Sequence, residues 1–318
     1  MNKLKWGILG PGRIAREFAA DFKWTKLAEC VAVASRSKER ADQFSRDFGI
    51  SKSYDSYDAL FLDENVQAIY VATPHTFHKE QVIAALQSGK HVLCEKPITT
   101  NKADLEEIIE VANQEQRYFI EGMWTYFLPA IQKAKRWVDE GRLGDVLHIK
   151  SEFGYSVPFD AKGRMYNPAL SGGALWDMGI YNIAMAQLFL GASFENLWVD
   201  SSLASSGVDN DVVTHYRVGN AQAHLHTSFK CKLPNKTIII GEKGYIEIPN
   251  FWRASECSFY AEEKLMEIFK DHREGNGFEF EIDKVSEEIM KGELTSNIVS
   301  PKASLHFQSL MDEIRATF

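Results

Sequence analysis

At 318 residues the chain suits two modest domains, and 45% hydrophobic with 25% charged residues are ordinary globular values, so a sizeable core can form. A net charge of −8 with no Lys/Arg run argues against a nucleic-acid or anionic-membrane surface. No apolar run approaches the roughly 18 residues of a membrane span, and the N-terminus runs straight into a strand pattern, so a soluble cytoplasmic protein is expected. The four cysteines (Cys30, Cys94, Cys231, Cys257) are scattered with no Cys-x-x-Cys pair, and Cys30 and Cys94 lie in apolar runs as buried thiols.

An apolar strand at 4–9 is followed by Gly10-Pro11-Gly12-Arg13-Ile14-Ala15, and then Ile14, Phe18, Ala19 and Phe22 recur at helical spacing. Strand, glycine turn and helix come in the order a dinucleotide site needs. Gly10 permits the tight turn, Gly12 lets the backbone approach a pyrophosphate at the helix N-terminus, and Ala15 keeps the helix close to the sheet. The next strand, 30–34, ends in Ser35-Arg36-Ser37, where an NAD site would place an acid for the ribose 2′-hydroxyl. An arginine pairs with a 2′-phosphate and an acid repels it, so NADP(H) is favoured through Arg36 with Ser35 or Ser37 assisting. NAD(H) stays open, as does a plain surface arginine opening the next helix.

A helix (37–48), a short strand (52–54) and a short helix (55–62) follow. A buried strand at 67–72 ends in Thr73-Pro74-His75, and a helix with Val82, Ile83 and Leu86 inward comes next. The strand at 91–94 runs into Glu95-Lys96-Pro97. Ligands of open α/β sheets bind just beyond such strand ends, which puts Lys96 where a cofactor and a substrate meet. A helix through Leu105, Ile108, Ile109 and Ala112 and a strand at 117–121 complete a doubly wound parallel sheet. His75 and His78 stand three apart with no acidic third ligand nearby, so packing or cofactor contact is preferred to a metal.

Beyond residue 121, Phe127, Ile131, Ala134 and Val138 mark a helix, and 146–153 reads as a strand. An irregular aromatic stretch (156–171) leads to the block 172–181, which contains Asp177 and Tyr181 and continues into an apolar helix to Leu190. Four apart on a helix, these two residues share a face; taken singly they are a capping aspartate and a core tyrosine. Val212, Thr214, Tyr216 and Val218 alternate, and Ala221, Ala223, Leu225 and Thr227 continue that face across a Gly219-Asn220 hairpin. Further strands are expected at 236–240, 245–248 and 257–260, giving a large, mostly antiparallel open sheet with helices on one face. Its other face carries His215, Arg217, Gln222, His224 and His226, read as solvated, metal-bearing or a wet dimer interface, with the metal disfavoured. Two helices close the chain, the last with Phe307, Met311, Ile314 and Phe318 as its stripe.

Together these residues resemble the Gfo/Idh/MocA oxidoreductase family over essentially the whole chain. The resemblance is carried by Gly10-x-Gly12-x-x-Ala15, Thr73-Pro74-His75-x-x-His78, Glu95-Lys96-Pro97 and the block 172–181. Residues 121–125, 164–168 and 241–244 are similar to the branch of trans-dihydrodiol and NADP-dependent D-xylose dehydrogenases. The resemblance implies a Rossmann domain (1–121) and a substrate-binding, dimerising α+β domain (122–318). It implies a catalytic group of Lys96, Asp177 and Tyr181, with the tyrosine replacing the family's commoner histidine. Tyr126 departs from that branch, where arginine is frequent. The cofactor set expected is Gly10, Gly12, Arg13, Ile14, Ser35, Arg36, Thr73, Pro74, His75, His78, Glu95, Lys96 and Pro97. Trp124, Phe153 and Tyr166 are expected to wall a substrate pocket, while Arg164 either binds a substrate oxygen or pins its loop.

The reaction implied is hydride transfer between nicotinamide and a carbinol or carbonyl carbon of a small polyhydroxylated molecule: a sugar, a sugar derivative or a cyclic diol. Free tyrosine is a poor base at neutral pH, but a neighbouring ammonium favours phenolate, so either Tyr181 or Lys96 exchanges the proton. The same residues serve a sugar or anhydrosugar reductase, and a non-catalytic NADP(H) sensor is the rival from another class. A homodimer through the open face of the C-terminal sheet is also implied.

Overall fold

The computed structural model describes residues 3–318 and divides into two compact units. The first holds the residues up to Trp124 together with Arg273–Ser304; the second holds Thr125–His272 and Leu305–Phe318.

In the first unit, strands β1 (Leu4–Leu9), β2 (Ala28–Ala34), β3 (Lys52–Tyr54), β4 (Ala68–Val71), β5 (His91–Glu95) and β6 (Phe119–Gly122) form a sheet in the order β3-β2-β1-β4-β5-β6. Every pairing is parallel. Helices α1 (Arg13–Asp21), α2 (Lys38–Phe48), α3 (Tyr57–Phe61), α4 (His78–Gln87) and α5 (Lys102–Gln114) connect the strands. The order reverses between β1 and β4, and in such sheets the crevice outside that switch point takes the ligand. Trp6, Ile8, Val33, Ile69, Val71, Val92 and Leu93 are fully buried, as strands covered on both faces must be.

The second unit begins with α6 (Pro129–Asp139), β7 (Val146–Gly154) and α7 (Ile180–Leu190). It continues through β8 (Glu195–Leu203), β9 (Asp209–Val218), β10 (Ala221–Ser228), β11 (Lys236–Gly241), β12 (Gly244–Pro249), β13 (Glu256–Ala261) and β14 (Lys264–Lys270). The sheet runs β14-β13-β12-β11-β7-β10-β9-β8, with the β7–β10 pair parallel and the rest antiparallel. The expected hairpin is present, with Val218 opposite Ala221 across Gly219-Asn220. Its apolar residues are buried beneath α7. Asn182, fully buried on α7, donates to the His226 carbonyl and Thr227 hydroxyl and accepts from Ser151 at 2.8 Å, which fastens that helix to β7 and β10. Each such buried contact is worth about 1 kcal/mol net, and more is lost when one partner is left unsatisfied.

Two strands, β8 and β14, were not expected. They are the sheet's edges, and their mixed, half-exposed residues carry little periodicity.

The boundary expected at 121/122 does not describe residues 273–304. These include α8 (Phe278–Met290), which packs with the first unit, as does the start of α9 (Pro301–Arg315). The side chains responsible are visible: Asp21 accepts from the Asn276, Gly277 and Phe278 N–H groups at 2.9–3.0 Å, capping α8. Trp6 donates to Ser286 at 3.0 Å, Asp283 accepts from Lys26 and Leu27, and Tyr118 donates to Glu288 at 2.6 Å. A cap of this kind is worth about 1 kcal/mol. The last helix ends at Arg315, so Phe318 stands beyond the stripe to which it was assigned.

Candidate active site

The first unit carries a glycine cradle. Gly10 has φ +93°, and a Cβ there would lie 2.8 Å from Thr73 Cγ2 and 3.2 Å from the Ala72 carbonyl. Gly12 is the N-cap of α1 without a side-chain cap, so no side chain closes off the first N–H groups of that helix. Arg13 is exposed beside Glu17 at 3.5 Å, and Ile14 is half-buried. An uncapped N-terminus behind a glycine turn fits a pyrophosphate.

At the end of β2, Ser35 is buried and accepts from Ser37 N–H at 3.2 Å, while Ser37 accepts from Arg40 N–H as the N-cap of α2. Arg36 is exposed, with its guanidinium 5.7 Å from the Phe77 ring centroid. A cation resting on an aromatic face, with no acid at the strand end, fits a phosphorylated ribose. Phe77 is a surface residue the sequence reading passed over, since a lone phenylalanine between two histidines carries no periodicity.

Lys96 leaves the end of β5 half-buried, and the Lys96–Pro97 bond is cis. The turn is held from both sides. Glu95, buried, accepts from the Tyr70 hydroxyl. Burial pushes the Glu95 carboxyl up, and the neighbouring Lys96 charge pulls it back. His78 is fully buried, with Nδ1 3.1 Å from the Pro97 carbonyl and Nε2 2.7 Å from the Thr73 carbonyl. Burial lowers its pKa. Both nitrogens thus lie against backbone carbonyls, and His78 ties the Thr73 turn to the Lys96 turn. His75, also buried, sits edge-on to it with centroids 5.7 Å apart. Thr73 donates to Gln81 at 2.5 Å.

In the second unit Asp177 lies in a π-helical turn, Leu175–Gly179, that feeds directly into α7, where Tyr181 follows. Such insertions concentrate at functional sites. Asp209 holds the start of this turn, accepting from Leu175 N–H at 2.7 Å. Gly173, at φ +131°, leaves room for it, since a Cβ would stand 2.3 Å from an Asp209 oxygen. Burial raises the Asp209 pKa, opposed by these backbone donors and by Arg315. Arg164 bridges to Asp177 at 2.6 Å with 44% and 21% of the two side chains exposed. A pair that open is worth about 0.2–1 kcal/mol. Tyr181 is buried against Phe153, centroids 5.7 Å apart, and Phe153 stacks on Trp252 at 4.3 Å.

Tyr166 donates to the Val157 carbonyl at 3.0 Å and packs on Phe159 and Phe229, so its hydroxyl pins the 156–171 loop. Trp124 belongs to the first unit and stacks on Phe278 at 4.4 Å. Trp252 and Tyr155 join Phe153 in one aromatic cluster and were not singled out from the sequence; the aromatic pair Phe251-Trp252 just after β12 was the available signal. Tyr126 is a core residue whose hydroxyl donates to the Ala184 carbonyl at 2.5 Å.

On the open sheet face His215 and His224 approach within 3.2 Å, and His226 lies 3.1 Å from Asp211. Burial and the neighbouring His215, His148 and Lys150 lower the His224 pKa. Among the described residues no group of three or more His, Cys, Asp or Glu is placed to hold a metal.

A glycine cradle at the switch point of a parallel sheet, joined in one chain to a large open-sheet unit, defines a dinucleotide-binding oxidoreductase of two-domain type. Residues 4–123 match the family model described as an oxidoreductase family with an NAD-binding Rossmann fold, and residues 131–247 match the GFO/IDH/MocA C-terminal domain. The chain belongs to the Gfo/Idh/MocA family. It is 33% identical to trans-1,2-dihydrobenzene-1,2-diol dehydrogenase of Xenopus laevis over 97% of this chain and 96% of the relative, and 32% identical to the Homo sapiens enzyme of that name over 98% and 96%. Among solved structures it is similar to a 3-ketoreductase from Actinomadura kijaniata in complex with NADP and TDP-benzene, at 26% identity and TM-score 0.87, covering 99% of this chain and 98% of that one. The fold is also shared with aldose-aldose oxidoreductase from Caulobacter crescentus, at 24% identity and TM-score 0.91, over 99% and 97%. No helix among the described residues is long and apolar enough to cross a membrane.

Proposed function

We propose that this oxidoreductase moves a hydride between a nicotinamide cofactor, NADP(H) in preference to NAD(H), and a carbinol or carbonyl carbon of a sugar, sugar derivative or cyclic diol. The observation that carries the reading is the lysine turn. At the carboxyl edge of a dinucleotide-binding sheet, Glu95, Tyr70 and His78 all serve to hold one short segment that presents Lys96. Bound nicotinamide would supply the carbon that accepts or donates the hydride. Gly10, Gly12, Arg13 and Ile14 would hold the pyrophosphate and Ser35 with Arg36 the 2′-phosphate, while Thr73, Pro74, His75 and the Glu95-Lys96-Pro97 turn border the carboxyl edge.

Lys96 donates to the reacting substrate oxygen, and Tyr181 exchanges the proton at that oxygen. Asp177 accepts from a neighbouring hydroxyl, with Arg164 as its closing partner. Phe153 and Trp252 offer flat apolar faces suited to the C–H side of a ring. Turnover of NADP⁺ against aldoses, inositols, cyclic diols and the matching ketones tests the reading; silence across that panel with NADPH still bound favours the sensor. Tyr181→Phe should lower kcat by about 10²–10⁴-fold, the usual worth of a proton-transferring group. Full turnover in that variant would give the proton to Lys96 instead.

A second copy covering the open sheet face completes the proposal. That face carries Trp198, 56% exposed, and a stacked Tyr245–Tyr260 pair at 4.6 Å among polar residues such as His215 and His224, a mixed aromatic and polar surface of the kind found at interfaces. Light scattering should return twice the 36.1 kDa chain mass, and a single-chain mass would reject the dimer.

A further inference from the structure

Three carboxyl groups are buried around the turn that presents Lys96, and the chemistry above gives a proton role to none of them. Glu95 is 8% exposed, Glu121 of β6 lies opposite Cys94 and is 3% exposed, and Glu281 of α8 is fully enclosed. A carboxylate in such a place is costly unless something answers its charge.

Their surroundings differ. Glu95 accepts from Tyr70 of β4 and faces Lys96, with Glu17 of α1 opposing its charge. Glu121 accepts from the Ile98 N–H at 3.3 Å, two residues past Lys96, and from Ser304 of α9; Lys96 favours its charged form and Glu95 disfavours it. Neither oxygen of Glu281 has a hydrogen-bond partner, and the charge acting on it is that of Glu95. Glu95 and Glu121 thus answer to one ammonium, and three such acids do not all ionise together. Glu281, unpartnered, is the neutral member. Glu95 is also pushed up by burial, with Lys96 and the Tyr70 hydroxyl pulling it back. Glu121 is pushed up by burial to about 7 while Ser304, the Ile98 N–H and Lys96 pull it back.

We propose that Glu121 is a positioning residue for Lys96: it holds the strand-end turn through the Ile98 N–H and, when ionised, steadies the ammonium that meets the substrate. The inference rests on the reading of Lys96 as the reacting lysine. Coupling between two charges is reciprocal, so the lysine that favours ionised Glu121 is favoured by it in return. As pH falls through the Glu121 titration the carboxyl gains its proton and Lys96 loses that support.

The test reads Lys96 directly. Lysines of the full chain are reductively methylated with ¹³C, and the Lys96 signal is identified by its loss in Lys96→Arg. Glu121→Gln keeps an acceptor for the Ile98 N–H and removes the charge. Its Lys96 midpoint should fall by on the order of half to one pH unit, and the lysine limb of the kcat/KM profile should move with it. In the unsubstituted chain the Lys96 signal should also show a second inflection near pH 7 from Glu121. An unmoved midpoint in a folded Glu121→Gln, or a single-step curve in the unsubstituted chain, overturns the proposal. The titration needs no turnover, so a shifted midpoint in a chain that oxidises nothing would reject the catalytic reading and leave this coupling standing.

Discussion

Lys96→Ala should lower kcat about 10³-fold while NADPH binding changes by less than about tenfold, because the side chain acts on charge that develops at the substrate oxygen. The turn keeps its hydrogen bonds through Glu95, the Pro97 and Ile98 carbonyls and the Ile98 N–H, while Glu95 and Glu121 lose the ammonium that favours their charged forms and take up protons more readily. Single-turnover absorbance changes in the pre-bound complex separate the two quantities. A variant that binds NADPH and turns over at the original rate would remove Lys96 from the chemistry.

Arg36→Ala should raise the NADPH dissociation constant about 10–100-fold and leave NADH within about twofold. A charge-assisted hydrogen bond to a phosphate contributes roughly 1.5–3 kcal/mol, and only NADPH offers that phosphate. The guanidinium above Phe77 is held at the end of β2 without an ion pair among the described contacts, so its removal orphans no buried partner. Fluorescence titration with both nucleotides measures the ratio. Equal weakening for the two would mean that Arg36 stacks on the nucleotide without reading the phosphate.

The Rossmann unit was legible because its strands are buried on both faces, which writes them as unbroken apolar runs ended by the glycine, proline and lysine turns the ligand needs. The β9–β10 hairpin was legible through strict alternation and Gly219-Asn220. The edge strands β8 and β14 were not, because one side of each has no neighbour to demand a pattern. The affiliation of α8 with the first unit depends on contacts such as Asp21 with Phe278, 257 residues apart, which no local window contains. Within the candidate site, residue types were legible and their partners were not. His78 proved to be a clamp on backbone carbonyls, Tyr166 a loop pin, and Asp209 the cap that fixes the Asp177 turn. A hydroxyl or imidazole is equally suited to ligand and to carbonyl, and only the fold says which stands nearby.

The central claim is a hydride passed between a carbinol carbon and a nicotinamide. A polyol or cyclic diol that reduces NADP⁺ would be prepared with deuterium at the reacting carbon and the reduced nucleotide examined by mass spectrometry. The account predicts one deuterium in the NADPH and almost no labelled product with Lys96→Ala. Oxidised substrate accompanied by unlabelled NADPH, or full labelling without Lys96, would contradict it.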